Sequence, residues 1–168
     1  MKIRDITLGA LFLSISLIMF VIENQISLPV VVPGFKIGIS NVVTLVMLHL
    51  WDDKKAFAVL ILRIVISTVI CANITVLFYS ICGGVLAYLV MLLFKDIKSV
   101  SVLSVLGAVG HNTGQVFAAA FILRSMSVFA YFPVLTALGC VAGLFTGLVA
   151  KFTIENRNVK SLFGEGCK

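Results

Sequence analysis

Apolar residues fill this chain in long blocks, not in short alternating stripes. Six blocks are bounded by polar or turn-forming residues: 6–22, 37–51, 56–72, 74–94, 99–123 and 127–150. A helix needs roughly 20 apolar residues to cross a hydrocarbon core of about 30 Å, so the pattern predicts six transmembrane helices. The second block is short and as a helix would rise only about 22 Å. It must stand nearly upright, thin the bilayer, or begin in a partly buried loop. Only Ala72 and Asn73 separate the third and fourth blocks, which predicts a tight turn. The stretch 23–36 breaks the pattern. Pro29 and Pro33 rule out a continuous helix through it, yet it is too apolar for a free solvated loop. It reads either as a connector lying on the membrane surface or as a lid over an outward-facing cavity, with Glu23 and Lys36 at its ends.

Composition agrees with the pattern. The 168 residues are 61% hydrophobic and 12% charged, with a mean hydropathy of +1.18. A soluble domain of this length needs far more polar surface, so the expectation is one all-α integral membrane domain over 1–152, followed by a cytoplasmic tail, 153–168. Charge orients it. Lys2, Arg4, Lys54, Lys55, Lys95, Lys98, Lys151, Arg157, Lys160 and Lys168 fall on one side of a six-span layout, and only Lys36 and Arg124 on the other. The positive-inside rule then places both termini in the cytoplasm, in a multi-pass protein of the bacterial inner membrane. The same asymmetry accounts for the net charge of +6 without nucleic acid. Trp51 sits where an interfacial anchor would. Lys2 and Arg4 before an apolar run resemble a signal peptide, but no A-x-A site follows, so the first span reads as uncleaved. Cys71, Cys82, Cys140 and Cys167 show no metal-ligand spacing and read as small hydrophobes.

Small residues mark faces for close packing. Gly139, Gly143 and Gly147 share one stripe of the sixth span, and Gly110, Gly114 and Ala118 one stripe of the fifth. Such spacing lets helix backbones approach within one chain or between chains. Ala10 and Ser14 form a shorter version on the first span.

The candidate chemistry lies inside the spans. His111 and Gln115 are four residues apart on one helical face, with Asn112 beside them. Polar groups in hydrocarbon are costly and are functional candidates by default. His111 lies about 18 Å along its helix, just past the midplane. Asn41, Arg63 and Tyr79 fall between the midplane and the outer face, while Glu23, Lys36 and Arg124 border that face. The inner half is nearly pure Leu, Val, Ile and Phe. This depth profile predicts a cavity open to the outside and closed toward the cytoplasm, lined by Arg63, His111, Asn112, Gln115, Asn41 and Tyr79 and gated by Lys36 and Glu23. Arg63 would cost about 2.5–3.5 kcal/mol if isolated at the bilayer centre, so an acceptor is expected: Asn41, a backbone carbonyl, Glu23 or an anionic ligand. Purely structural roles stay open, for Arg63 as an ion-pair or hydrogen-bond partner and for His111-Asn112-Gln115 as an interhelical network. The excess of Arg63, Lys36, Arg124 and His111 over Glu23 favours an anionic small molecule. Enzyme motifs are missing. Asp52-Asp53 is the only adjacent carboxylate pair and is followed directly by Lys54-Lys55, which reads as a solvated turn. No catalysis, metal or cofactor is expected of this chain.

The elements Pro33-Gly34-x-Lys36-x-Gly38-x-x-Asn41, Arg63-x-x-x-Ser67, Tyr79-x-x-x-Gly83-Gly84 and His111-Asn112-x-Gly114-Gln115 together resemble one family, the Gx transporters, also labelled heptaprenyl diphosphate synthase component I. The resemblance covers about 5–150. That family is similar in size and layout to the S components of energy-coupling factor (ECF) importers. The resemblance implies an S-component-like bundle whose first loop caps an outer cavity. It also implies partners, a transmembrane coupling subunit and two ATPases, with Ala10 and Ser14 at the docking face; serine replaces the family's second alanine there. The synthase label conflicts with the absence of carboxylates for magnesium diphosphate chemistry. The expected function is a substrate-binding membrane subunit for uptake of a small solute, anionic or isoprenoid- or quinone-related. The alternative is a non-transporting membrane component of an isoprenoid or quinone system. A self-sufficient secondary transporter fits less well, because broken-helix signals are absent.

Overall fold

A computed structural model describes residues 3–25 and 38–163. Lys36, most of the stretch 23–36, and Cys167 lie outside the described residues. Each of the six apolar blocks contains one helix: α1 (Ile3–Gln25), α2 (Asn41–Leu50), α3 (Asp53–Cys71), α4 (Ile74–Leu93), α5 (Val100–Leu123) and α6 (Phe132–Glu155). A 3-10 turn, Met126–Tyr131, leads into α6, and α7 (Arg157–Phe163) follows it. No strand occurs among the described residues. Among the described residues, four helical units are long and apolar enough to cross a membrane: α1, α4, α5 and the run Met126–Glu155. The other two differ for separate reasons. With 10 residues, α2 spans about 15 Å, and α3 carries Asp53, Lys54, Lys55 and Arg63 within its 19 residues.

Local chemistry sets the boundaries. The Asp52 side chain caps α3, accepting from the backbone N–H groups of Lys54 and Lys55 at 2.9 and 3.2 Å. Asn73 caps α4 in the same way through Thr75 N–H at 2.9 Å. Between α3 and α4, Ala72 takes a left-handed conformation at φ 47°. One left-handed residue and one N-cap thus make the tight turn that the short spacer predicts.

The bundle is built around α5, which packs most extensively on α4 and α6. Its glycines make that possible. A Cβ on Gly114 would collide with the Cys82 carbonyl of α4, and one on Gly110 would press on Val90 at 3.0 Å. Across the other face, a Cβ on Gly143 would lie 2.9 Å from Val105 Cα, and one on Gly147 2.7 Å from Ser101 Cα. The contacts at Gly114, Gly143 and Gly147 are with backbone that side chains would force apart, so both glycine stripes face neighbouring helices of this chain. The short α2 is enclosed: Val42 through Leu48 and Leu50 are buried, which suits a helix that is apolar all round. By contrast, α1 lies at the periphery and exposes Ile6, Leu11, Ile18 and Ile22. Ala10 and Ser14 are on its exposed side, and the Ser14 hydroxyl donates to the Ala10 carbonyl at 2.9 Å.

The end of the bundle near Trp51 is stitched by short contacts. Lys55 pairs with Asp5 at 3.0 Å and stands 5.0 Å from the Trp51 ring centroid. Asp53, beside the capping Asp52, pairs with Lys95 at 2.7 Å. The chain beyond 152 is partly helical, and Phe163 of α7 packs on Phe12 and Trp51 at 5.3 and 6.1 Å between centroids. Cys71, Cys82 and Cys140 are half-buried free thiols.

Candidate functional site

Near the opposite end, α1, α3, α4, α5 and the residues leading into α2 enclose a small polar cavity. Glu23, Arg63, His111 and Gln115 line it, with Ser40, Ser67 and Ser80. Its free volume is about 10 Å³, which is room for a single water.

Each side chain reaches the cavity for a local reason. Glu23 lies in the last turn of α1 and is 4% exposed. Its carboxylate accepts from the N–H of Gly38 and, at 3.4 and 3.3 Å, from the N–H and hydroxyl of Ser40. The charge is therefore met by donors just ahead of α2. Gly38 has φ 85°, a conformation that favours glycine, and this turns its N–H toward Glu23. Arg63, in the middle of α3, is 5% exposed. Its Nη2 donates to Asn41 Oδ1 at 3.3 Å, while its Nη1 has no protein partner. Glu23 is the charge that attracts it, and both line the one cavity without a direct ion pair.

Gln115, from α5, is 4% exposed, and neither its amide oxygen nor its amide nitrogen has a protein partner. His111 lies one turn away on the same face. Gly83 and Gly84 of α4 provide the space: a Cβ on Gly83 would come within 2.9 Å of the His111 ring and 3.0 Å of Gln115 Cγ. A Cβ on Gly84 would meet Arg63 Nη2 at 3.7 Å.

Of the sequence candidates, the fold gathers Glu23, Arg63, His111 and Gln115 around one cavity, with Asn41 holding Arg63 from the side. Two others point elsewhere. Asn112 faces α6, and its amide donates to the Leu135 carbonyl at 2.6 Å beneath Gly139. It is 100° around the helix from His111, which turns it toward a different neighbour. Tyr79 is buried in a second apolar cluster with Val116, Ala119, Val128 and Leu135. Arg124 is also remote. It ends α5 in a left-handed conformation and borders a wide apolar groove of about 890 Å³, lined by Phe78, Phe117, Phe121 and Phe129. The cationic excess expected from composition is therefore not gathered at this site. Among the described residues, its charges are one guanidinium and one carboxylate.

Sequence reasoning missed Gly38, Ser40, Gly83 and Gly84 as site-forming residues. The signal available was small residues adjoining polar ones. It also missed a buried polar pair in the other half of the bundle, where Ser104 and Thr146 share a hydrogen bond at 3.0 Å.

A multi-helix apolar bundle with unmet polar groups at its centre defines a multi-pass membrane protein with an internal polar site. Its particular identity comes from a family model. The description heptaprenyl diphosphate synthase component I matches residues 12–153, and the chain belongs to that family. No curated protein and no solved structure matches it.

Proposed function

We propose that this chain is the solute-binding subunit of a small-molecule uptake system. In this reading the six apolar segments cross the bacterial inner membrane, the second through its short enclosed helix and the residues leading into it, the termini are cytoplasmic, and the polar cavity opens outward. One observation carries it: Arg63 Nη1 and both amide atoms of Gln115 are buried beside one cavity with no protein partner. A buried polar group left unpaired costs about 1–3 kcal/mol. A fold that keeps several such groups together at a cavity is holding them for a ligand. The ligand would bring an acceptor to Arg63 and a donor–acceptor pair to Gln115. Because Glu23 shares the cavity, a carboxylate-bearing solute with its own donor fits better than a bare anion. The cavity holds only a water's volume, so admission requires release of the Glu23 bonds to Gly38 and Ser40. Inward delivery by an S-component-like mechanism would need a coupling subunit and ATPases, with Ala10 and Ser14 on the open flank of α1 as a docking face.

Retained small molecules, released from purified protein and weighed by native mass spectrometry, test the reading. Wild type should carry one and Arg63→Ala should not, while both insert equally. Equal retention in the two would overturn it.

A second reading has its own support. The family description names a prenyl diphosphate synthase component, and the apolar groove ending at Arg124 would suit a prenyl chain with an anionic head. The chain would then be a membrane component of an isoprenoid or quinone system without transport. Copurification separates the two: a coupling subunit with ATPases supports uptake, and a soluble prenyl synthase supports the rival.

A further inference from the structure

The polar cavity is the first of three that stack along α2 and α5. The second, of about 10 Å³, lies among Asn41, Leu45, Met91, Ser104, Gly107 and Thr146 and shares Gly38 with the first. The third, of about 310 Å³, lies among His49, Trp51, Asp53, Lys95, Asp96 and Leu103 and shares Leu45 with the second. Their order follows the helices. Along α5 the lining residues step from Gln115 and His111 to Gly107 and Ser104 and then to Leu103; Gly38 and Ser40, just ahead of α2, line the first cavity, and α2 gives Asn41 and Leu45 to the second and Leu45 and His49 to the third.

We infer that this chain carries its own route for a small hydrophilic solute from the Glu23–Arg63 cavity to the Trp51 end, running between α2 and α5. Ser104 and Thr146 form a polar station midway, and Leu45, Met91 and Leu103 close the passage below it. The three closing side chains are 2%, 2% and 1% exposed, so the route is shut in this conformation. Met91 is the movable part. Its unbranched thioether has rotamer freedom, and it lies over Gly107, where a Cβ would come within 2.8 Å of its Cγ. The absent side chain leaves Met91 a groove to lie in. Asn41 joins the stations, since it lines the second cavity while its Oδ1 accepts from Arg63 in the first. This keeps the outward-facing site of the proposed function but replaces delivery by movement of the whole bundle, under which the Ser104 cavity would stay sealed.

The test is thiol accessibility in the full-length chain, with Cys71, Cys82, Cys140 and Cys167 replaced by alanine. Ser104→Cys is close to isosteric and reports on the middle station. Val141→Cys, 68% exposed on the apolar flank of α6, is the control for a thiol facing lipid. The probe is a charged, membrane-impermeant methanethiosulfonate, applied to vesicles of each orientation. A thiol reacts as thiolate and so needs water access; Ser104→Cys should therefore react about tenfold faster than the control from the Trp51 side. Adding Met91→Ala, or Leu45→Ala if the first variant does not fold, should raise the rate a further tenfold or so by opening space at the plug. A Ser104→Cys rate equal to the control overturns the route. No acceleration in a folded plug variant overturns the assignment of the gate. Neither readout involves the ligand, so failure of Arg63→Ala to affect solute retention would leave this result standing.

Discussion

The two faces of α5 carry similar side chains to opposite ends. On the face toward α6, Asn112 donates to the Leu135 carbonyl, and Gly139, Gly143 and Gly147 let the backbones close. On the face toward α3 and α4, Gln115 is equally buried but bonds to nothing in the protein. Both are carboxamides and both are nearly inaccessible. One face resolves its polar groups internally and acts as a joint. The other leaves them unresolved beside a cavity and has the character of a binding site. Burial and polarity alone therefore do not separate Asn112 from Gln115; the state of hydrogen bonding does.

Substitutions can break or sharpen this contrast. The largest effect should come from Gly114→Ala, whose Cβ would strike the α4 backbone, a partner unable to rotate away. Overpacking of this kind costs about 3 kcal/mol, and thermal unfolding in detergent should show a large drop or loss of the monodisperse species. Next comes Asn112→Ala, which removes the hydrogen bond to the Leu135 carbonyl and leaves a void beneath Gly139; it should cost about 1–2 kcal/mol with ligand retention unchanged in what folds. Gln115→Leu should move the other way. Removing an amide without partners should leave stability equal or raise it by about 1 kcal/mol while abolishing solute retention. If Gln115→Leu destabilises as much as Asn112→Ala, the two faces are alike and the contrast fails.

The smallest effect concerns the Trp51 end. The hydrogen bond that Lys95 donates to Asp53, together with the Asp53 charge, raises the Lys95 pKa above 10.5. With the folded value raised, the contribution of the pair is complete below the ordinary lysine value and disappears as pH climbs through the raised one. The gap in thermal midpoint between wild type and Lys95→Met should be constant from pH 7 to 9 and should narrow only above about 10.5, the ordinary value from which the shift starts. A gap that closes below pH 9 would exclude this account.

Gly83 and Gly84 stand in the sequence four and five residues after Tyr79, yet their role was not legible in order along the chain. Depth along each helix follows from counting residues, which is why Arg63, His111, Asn112 and Gln115 could be grouped in advance as the deep end of a site with Glu23 at its mouth. Azimuth depends on which neighbour each face meets. Tyr79 and Asn112 have suitable depth but turn into the α4–α6 cluster and the α5–α6 joint. Arg124 counts toward the overall charge but lies on a different surface. The same limit hid Ser104 and Thr146, two small hydroxyl residues in apolar runs. They form a polar station only because α5 and α6 are close enough for them to meet.

The sequence by itself determined the six apolar segments, the tight α3–α4 turn, the glycine stripes and a concentration of polar groups from the midplane to one face. These depend on local composition and on a period of 3.6 residues, so one chain read in order contains them. Only the tertiary structure decided which polar groups are satisfied. That depends on partners distant in sequence: Asn41 for Arg63, Leu135 for Asn112, and for Gln115 none within the protein.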